Sequence, residues 1–374
     1  MSDGETTTTD DLPPRREAWP PDAGDTTATA RVRRPLRCGE PAIHEFSTED
    51  GVTLRLTRFE GGTKGPVILS PGFGTSALAY TIDTTDTNFP EYLHEHGYDV
   101  WVLDYRASPA LPSGGTQFTL DDIARYDYPA AVETVREISG ADSVQIMAHC
   151  VGSLTMLMAL GLGLQGVRSA VASQVTLHPR AGTLNELRAG IYAGDLIQAL
   201  GIDTLTTEID DDPSWLETLY DKALALYPSG DEPCERPFCR RVMFMYGEVY
   251  EHDHLNEATH DHLEEAFGVA NMTTLRHITK ILRADHAISM DGAHDYLDDV
   301  TGLRVPIAFL HGENNRLFVP EGSALTFREL SERNGPEYYS RHVVPGYAHM
   351  DLFIGQDAAR DVYPVITAQL DTHN

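Results

Sequence analysis

The chain has few basic residues, few cysteines and no long apolar run. Its 374 residues include 28 Lys or Arg against 57 Asp or Glu, a formal net charge of −29. Such a surface repels nucleic acid and anionic lipid, so we exclude both as partners. No apolar stretch reaches the ~20 residues of a membrane-spanning helix. The cysteines, too few for a disulfide framework and expected to be reduced, are Cys38, Cys150, Cys234 and Cys239.

The N-terminal region has the composition of an unfolded segment. Residues 1–36 are rich in Thr, Asp, Pro and Arg and have no apolar periodicity, which predicts a disordered acidic tail. The first residues, Met1 to Glu5, are polar and acidic and do not have the pattern of a secretory signal. We therefore expect a cytoplasmic protein.

Short apolar segments alternate with helical segments, which predicts a mostly parallel, doubly wound α/β sheet. Between residues 180 and 303 helical spacing dominates, as in a cap inserted over the active-site end of a sheet. The predicted core is thus 37–179 and 304–374, with a helical cap at 180–303. The predicted strands are Ile43–Ser47, Val52–Phe59, Pro66–Ser70, Asp99–Asp104, the run before Cys150, Val167–Ala172, Val305–His311 and Arg341–Pro345. The predicted core helices are Phe89–Gly97, Asp121–Ser139, Ala324–Arg333 and Asp357–Gln369.

The segment Ser143–Ser153 has the pattern of a strand, a sharp turn and a helix. Ala148 and Gly152 lie two residues before and after Cys150, where bulky side chains would collide in such a turn. A side chain on this turn is presented in a strained backbone conformation, so we predict that Cys150 is a nucleophile that reacts as a thiolate. The alternative is a buried structural cysteine, because free Cys is among the most buried residue types.

Acyl transfer through a cysteine needs a base and a group that orients the base. His349 lies in the loop just beyond the last predicted strand and comes after the nucleophile in the chain, so we predict it as the base. Asn315 lies at the orienting position, and an amide oxygen can accept the imidazole Nδ1–H. Glu313 is the rival, because it is the only carboxylate in the same loop. The spacing favours Asn315, and both residues stay candidates.

Two backbone groups and one histidine-rich segment complete the sequence-based predictions. We expect the N–H of Val151, at a helix start, and that of Phe73, in a Gly-rich loop, to stabilise the oxyanion. The histidines in Glu251–His254 and His260–His262 have metal-like spacing, but a polar helical surface in the cap explains them as well. We therefore predict no metal site.

The cysteine turn, the Gly-rich loop and the histidine after the last strand together resemble the α/β-hydrolase superfamily, from about Ala42 to the C-terminus. A narrower resemblance is to the cysteine-nucleophile hydrolase domain found with some cholesterol-oxidase-like flavin oxidoreductases. The segments that carry it are Gly97–Ser108, Ala148–Ser153 and Asp361–Pro364.

This resemblance implies an α/β-hydrolase fold, a site formed by Cys150, His349 and Asn315, and an apolar, sterol- or polyketide-like acyl substrate. No Gly-x-Gly-x-x-Gly motif follows the first strand, so we predict no cofactor. The leading hypothesis is hydrolysis of an ester, lactone or thioester through a thioester on Cys150. An acyltransferase or cyclase would use the same intermediate, and a non-catalytic binding module with this fold is the third alternative.

Overall fold

A computed structural model describes residues 33–182, 203–207, 224, 234 and 236–374. The described chain contains ten β-strands, most of them in the segments predicted from sequence. They are β1 (Ala42–Ser47), β2 (Thr53–Phe59), β3 (Pro66–Ser70), β4 (Asp99–Asp104), β5 (Val144–His149), β6 (Val167–Ser173), β7 (Thr204–Thr206), β8 (Val269–Asn271), β9 (Ile307–Gly312) and β10 (Tyr339–Val344).

Eight of these strands form one sheet in the order β1-β2-β4-β3-β5-β6-β9-β10, and β7 pairs with β8 separately. The pairs β1–β2 and β2–β4 are antiparallel, and the remaining neighbours in the large sheet are parallel. The predicted mostly parallel, doubly wound sheet is therefore confirmed. Parallel order brings the carboxyl ends of β5, β6, β9 and β10 to one edge, where the site residues follow.

Helices cover the sheet on both faces, which explains why its central strands are continuous apolar runs. Every residue of β4 and β5 is buried, and successive residues Ile146 and Met147 belong to the two different cores on opposite faces. The described helices are α1 (Leu78–Thr81), α2 (Phe89–Glu95), α3 (Leu120–Asp122), α4 (Tyr128–Ser139), α5 (Val151–Gly161), α6 (Pro237–Met245), α7 (Glu257–Asp261), α8 (Met272–Ala284), α9 (Glu321–Asn334), α10 (Asp351–Ile354), α11 (Ala358–Asp361) and α12 (Tyr363–Thr372). None of them has the length and apolar composition to cross a membrane.

The long helix predicted for Asp121–Ser139 is interrupted by a π-helical segment at Ile123–Asp127. Pro129 has no N–H with which to bind the carbonyl of Arg125, so the regular hydrogen-bond ladder cannot pass this point. The N–H of Tyr128 bonds instead to the carbonyl of Ile123, five residues back. The predicted C-terminal helix is divided in the same way, into α11 and α12, with a proline at the start of α12.

Residues 33–36, predicted as the end of a disordered tail, are bound to the core. The N–H of Arg34 donates to Asp83 Oδ2 at 2.8 Å, and its guanidinium reaches both oxygens of Glu91 at 2.6 and 2.9 Å. Paired charged hydrogen bonds of this kind are strong and directional, so they order the backbone here. Residues 1–32 lie outside the described residues, as does much of the predicted cap, whose bounds stay a prediction.

Candidate active site

Cys150 occupies a strained turn between β5 and α5. Its φ is 56° and its ψ is −127°, a region that residues with a Cβ seldom populate. The turn also depends on Gly152, because a Cβ there would lie 2.4 Å from the carbonyl oxygen of Pro71. The backbone after β3 thus packs directly against the start of α5, and only a residue without a side chain fits between them, as the predicted strand–turn–helix requires.

Cys150 is half-buried, and its sulfur faces two backbone N–H groups. Burial raises the pKa of this thiol to about 12, while hydrogen bonds from the N–H groups of Val151 and Phe73 act to lower it. The thiol is therefore neutral near pH 7. The two N–H groups predicted as oxyanion donors do lie at the sulfur, and their role with a bound substrate stays a prediction.

The sulfur opens into a cavity of about 90 Å³ with an almost entirely apolar lining. One wall comes from the sheet and its loops, and includes Phe73, Val151, Leu317, Phe318 and Met350. The facing wall comes from residues within the segment predicted as a cap, and includes Met245, Tyr246, Val249, Phe267, Leu275, Ile278 and Leu282. The described part of that segment therefore covers Cys150 and supplies apolar contact surface.

His349 also lines the cavity and is one of three neighbouring buried histidines. The ring centroids of His149 and His349 are 4.6 Å apart. Burial and the proximity of His149 and His311 hold the pKa of His349 well below its ordinary value. Burial likewise lowers the pKa of His149 to about 3 and that of His311 to about 4. All three imidazoles are therefore neutral near pH 7, which disfavours a thiolate–imidazolium pair.

Asn315 lies beside His349, as the spacing predicted, but its amide has the opposite orientation. Its Nδ2 is 3.0 Å from His349 Nδ1, while its Oδ1 accepts the N–H groups of Leu317 and Phe318, each at 3.0 Å. Because two donors already face the oxygen, the amide presents its NH₂ to the imidazole. The prediction that the amide oxygen accepts the Nδ1–H of His349 is therefore wrong for this arrangement.

Gln174, a residue that the sequence analysis missed, fixes the same orientation. Its Nε2 donates to the carbonyls of Ala348 and His349 at 2.8 and 3.0 Å. Its Oε1 accepts from the N–H of Gly312 at 3.1 Å and from Asn315 Nδ2 at 2.7 Å. Rotating the Asn315 amide by 180° would place its Oδ1 against Gln174 Oε1, and two oxygens without a hydrogen between them repel each other. The sequence feature that indicates a site role for Gln174 is its position directly after β6, at the carboxyl end of a parallel strand.

This network determines which nitrogen of His349 carries hydrogen. Nδ1 accepts a hydrogen bond from Asn315, so the neutral ring carries its hydrogen on Nε2. An Nε2–H group can donate a hydrogen bond but cannot take a thiol proton at that nitrogen. Charging the ring would place an Nδ1–H against the amide N–H, which is unfavourable. At rest, the Nε2–H of His349 meets no hydrogen-bond partner among the described residues, and the ring is not yet a base.

Two other polar residues, one just after β9 and one at the end of β4, have structural partners. Glu313 is exposed, and its carboxylate accepts the N–H of Gly346 at 3.1 Å, so Asn315 and not Glu313 contacts His349. Asp104, at the end of β4, is fully buried and binds Arg55 and the N–H of Ala77. Asp104 therefore supports the loop that carries Phe73.

With this geometry established, the family follows from comparison with known proteins. Residues 65–356 match the model of the alpha/beta hydrolase fold family, which is most of the chain. The chain belongs to the α/β-hydrolase family. The prediction of an α/β-hydrolase is confirmed, whereas the resemblance to a cysteine subgroup associated with flavin oxidoreductases stays a prediction.

Lipases are among the relatives of this α/β-hydrolase. The chain is 21% identical to human Lipase member K over 359 residues, which is 86% of this chain and 85% of that protein. It is 26% identical to Lipase lipl-1 of Caenorhabditis elegans over 175 residues, so it spans only 43% of that relative's length. A soluble variant of the Saccharomyces cerevisiae monoglyceride lipase has a TM-score of 0.59 at 13% identity, over 92% of this chain and 99% of that chain. At this identity the likeness concerns the fold.

Proposed function

We propose that this α/β-hydrolase transfers acyl groups through a thioester on Cys150. The observation that carries the proposal is the arrangement at the sulfur. A strained turn presents Cys150 to an apolar cavity, and the N–H groups of Val151 and Phe73 converge on the same point. Convergent N–H groups stabilise the negative charge that develops when a nucleophile adds to a carbonyl.

The chemistry takes two balanced steps. The Cys150 sulfur attacks the carbonyl carbon of an ester or thioester, a C–S bond forms, and the alcohol or thiol leaves with the proton lost by Cys150. Water then attacks the thioester, which releases the carboxylic acid and restores the thiol. An alcohol, thiol or amine in place of water would give the acyltransferase or cyclase reaction through the same intermediate.

The substrate class in this proposal is an apolar acyl compound. The cavity walls are aliphatic and aromatic on both sides, so an acyl chain or fused-ring group gains free energy by leaving water there. The names of the relatives, Lipase member K and monoglyceride lipase, support a lipid-like ester. A sterol- or polyketide-like acyl group would present similar apolar surface, and a cytoplasmic location stays an expectation.

Activation of the thiol requires His349 to change its tautomer. His349 can accept the Cys150 proton at Nε2 only when Asn315 no longer donates to Nδ1. Leu317 and Phe318 hold the Asn315 oxygen through their N–H groups, and both residues also line the cavity. We infer that an acyl substrate pressing on these two residues releases Asn315 and so activates the site.

Intact mass spectrometry tests the covalent step. The protein is incubated with p-nitrophenyl esters of increasing chain length. We expect the mass to increase by that of the acyl group less the thiol hydrogen it replaces. The rate of this increase should be higher for longer acyl chains. Cys150→Ala should show no adduct, whereas Cys38→Ala, which removes a buried thiol from the opposite core, should acylate normally. Ester turnover with the acyl group on another residue, or at an unchanged rate in Cys150→Ala, would refute the proposal.

A non-catalytic binding module is a second candidate, and one observation favours it. The hydrogen-bond network keeps the hydrogen of His349 on Nε2, so the resting site lacks a base at that nitrogen. If this candidate is correct, apolar esters should bind in the cavity and slow alkylation of Cys150 by iodoacetamide without forming an acyl adduct. Adduct formation in the mass experiment would exclude it.

A further inference from the structure

Four cysteine and histidine side chains converge within the segment predicted as a cap, apart from the residues proposed for acyl transfer. Their ligand atoms, from Cys234, Cys239, His252 and His260, all lie within 4.8 Å of one another. His260 Nε2 is 3.3 Å from the sulfur of Cys239 and 3.6 Å from that of Cys234. The rings of His252 and His260 have centroids 5.0 Å apart and an interplanar angle of 71°.

These distances fit the edges of a zinc tetrahedron. With Zn–S of about 2.3 Å and Zn–N of about 2.05 Å, the sulfur–nitrogen edge of a tetrahedral site is about 3.6 Å. The two distances from His260 Nε2, 3.3 and 3.6 Å, lie at or slightly below this value. Two thiolates and two imidazoles are the donor set that Zn²⁺ takes in structural sites, and alkaline-earth cations prefer oxygen ligands.

We propose that Cys234, Cys239, His252 and His260 bind one Zn²⁺ ion. The cysteines are separated by four residues and the histidines by seven, so the ion joins two short segments of the chain. Cys239 lies in the first turn of α6, where the helix dipole favours the negative charge of a thiolate. The hydroxyl of Tyr250 lies 3.4 Å from the Cys239 sulfur and supplies the outer hydrogen bond typical of zinc ligands.

The metal site borders its own cavity, of about 300 Å³, whose lining includes Cys234, Cys239 and His252. This cavity is a route by which an ion can enter. Four protein ligands complete a zinc tetrahedron and leave no position for substrate, so the ion is structural. The inference does not depend on the chemistry proposed for Cys150.

The proposed zinc site is connected through α6 to the wall of the apolar cavity that faces Cys150. Helix α6 carries Cys239 in its first turn and Met245 at its end, and Met245 and Val249 both line that cavity. The carbonyl of Val249 accepts the N–H of Met350 at 2.7 Å, directly after His349. Zinc at the start of α6 would therefore fix the wall that faces Cys150 and the backbone beside His349.

Metal analysis of the full-length protein, purified with reductant and without chelator, tests the site. We expect one Zn²⁺ per chain, and Co²⁺ exchanged into the site should give thiolate-to-metal charge-transfer absorption. Cys234→Ser and His260→Asn should each weaken Zn²⁺ binding by at least about 100-fold in competition with a chromogenic chelator. Tyr250→Phe should weaken binding about 10-fold. The matched control is His262→Asn, because His262 lies in the same segment beside Glu265 and should bind zinc as the wild type does.

Thermal unfolding of the wild type with and without chelator provides a readout that does not depend on a folded variant. Removing zinc with a chelator should lower the Tm of the wild type and of His262→Asn, and should leave that of Cys234→Ser unchanged. Zinc affinity in the wild type equal to that of Cys234→Ser would overturn the proposal. An intact mass lower by two hydrogens under reducing conditions, which marks a Cys234–Cys239 disulfide, would overturn it too.

Discussion

The molecule contains two groups of thiols and imidazoles, one around Cys150 and one around Cys234 and Cys239. At Cys150, two backbone N–H groups face the sulfur, and the neighbouring imidazole of His349 is held with its hydrogen on Nε2. At the other group, the sulfur and nitrogen ligand atoms face one another across 3.3 to 3.6 Å. Positive dipoles converge in the first case and electron-pair donors in the second. The first arrangement suits a developing anion and the second a cation, although the residue types are the same.

The largest expected effect is the loss of acyl transfer or of zinc when the cysteines of the corresponding group are replaced. Cys150→Ala should lower acyl transfer at least about 1,000-fold, because the nucleophile is lost, and should retain zinc. The double variant Cys234→Ser/Cys239→Ser should lose zinc and still acylate Cys150. Initial rates with an activated ester and metal content per chain measure both properties. Loss of zinc in Cys150→Ala would contradict the separation.

A smaller effect, about 100-fold, is expected from Asn315→Asp. The carboxylate keeps the hydrogen bonds from Leu317 and Phe318 and turns its second oxygen to His349, which then carries hydrogen on Nδ1 and accepts at Nε2. Its charge also raises the pKa of His349. We expect kcat/KM for an activated ester to increase. The control is Asn314→Asp, an exposed neighbour with the same charge change; an equal gain there, or a loss in Asn315→Asp, would refute the tautomer argument.

The pH dependence of Cys150 alkylation reports the protonation state of its thiol. Because the pKa of Cys150 is raised to about 12, its reactive thiolate is absent at low pH and accumulates as pH rises towards that value. Alkylation of Cys150 by iodoacetamide should therefore accelerate about tenfold per pH unit between roughly pH 7 and 10. In Asn315→Asp the alkylation rate should stop rising at a lower pH than it does in the wild type. A wild-type rate independent of pH in this range would show that the thiolate is already formed.

The smallest expected effect contrasts two glycines of α5. In Gly152→Ala the new Cβ meets the Pro71 carbonyl at 2.4 Å, so we expect a loss of about 1–3 kcal/mol in the free energy of unfolding. In Gly161→Ala the nearest atom is the Tyr296 carbonyl oxygen at 3.8 Å, and stability should stay equal or rise by about 0.5–1 kcal/mol. Urea unfolding measures both changes. Equal losses would show that the turn at Cys150 tolerates a Cβ.

Local sequence patterns were sufficient for most of the sheet and for part of the site. Continuous apolar runs predicted β4 and β5, and the small residues around Cys150 predicted its turn, because strand burial and turn sterics act over a few neighbouring residues. The position of His349 after the last strand was also informative. The breaks in the two long predicted helices follow from Pro129 and Pro364, because proline has no N–H to continue the helical hydrogen-bond ladder.

Long-range contacts decided the rest. The orientation of the Asn315 amide depends on Gln174, 141 residues away in the chain, and no local pattern encodes which of its two ends faces His349. The histidine-rich segment, interpreted from sequence as polar surface, places His260 against Cys234 and Cys239 only when α6 and α7 pack together.

The sequence by itself determined the fold, the strained turn that presents Cys150 and the order of the site residues, because each depends on backbone geometry and on burial over short spans. The tertiary structure alone decided which nitrogen of His349 carries hydrogen and which thiols and imidazoles meet. Hydrogen-bond direction and metal coordination depend on distances of about 3 Å between groups far apart in the chain, and folding alone brings such groups together.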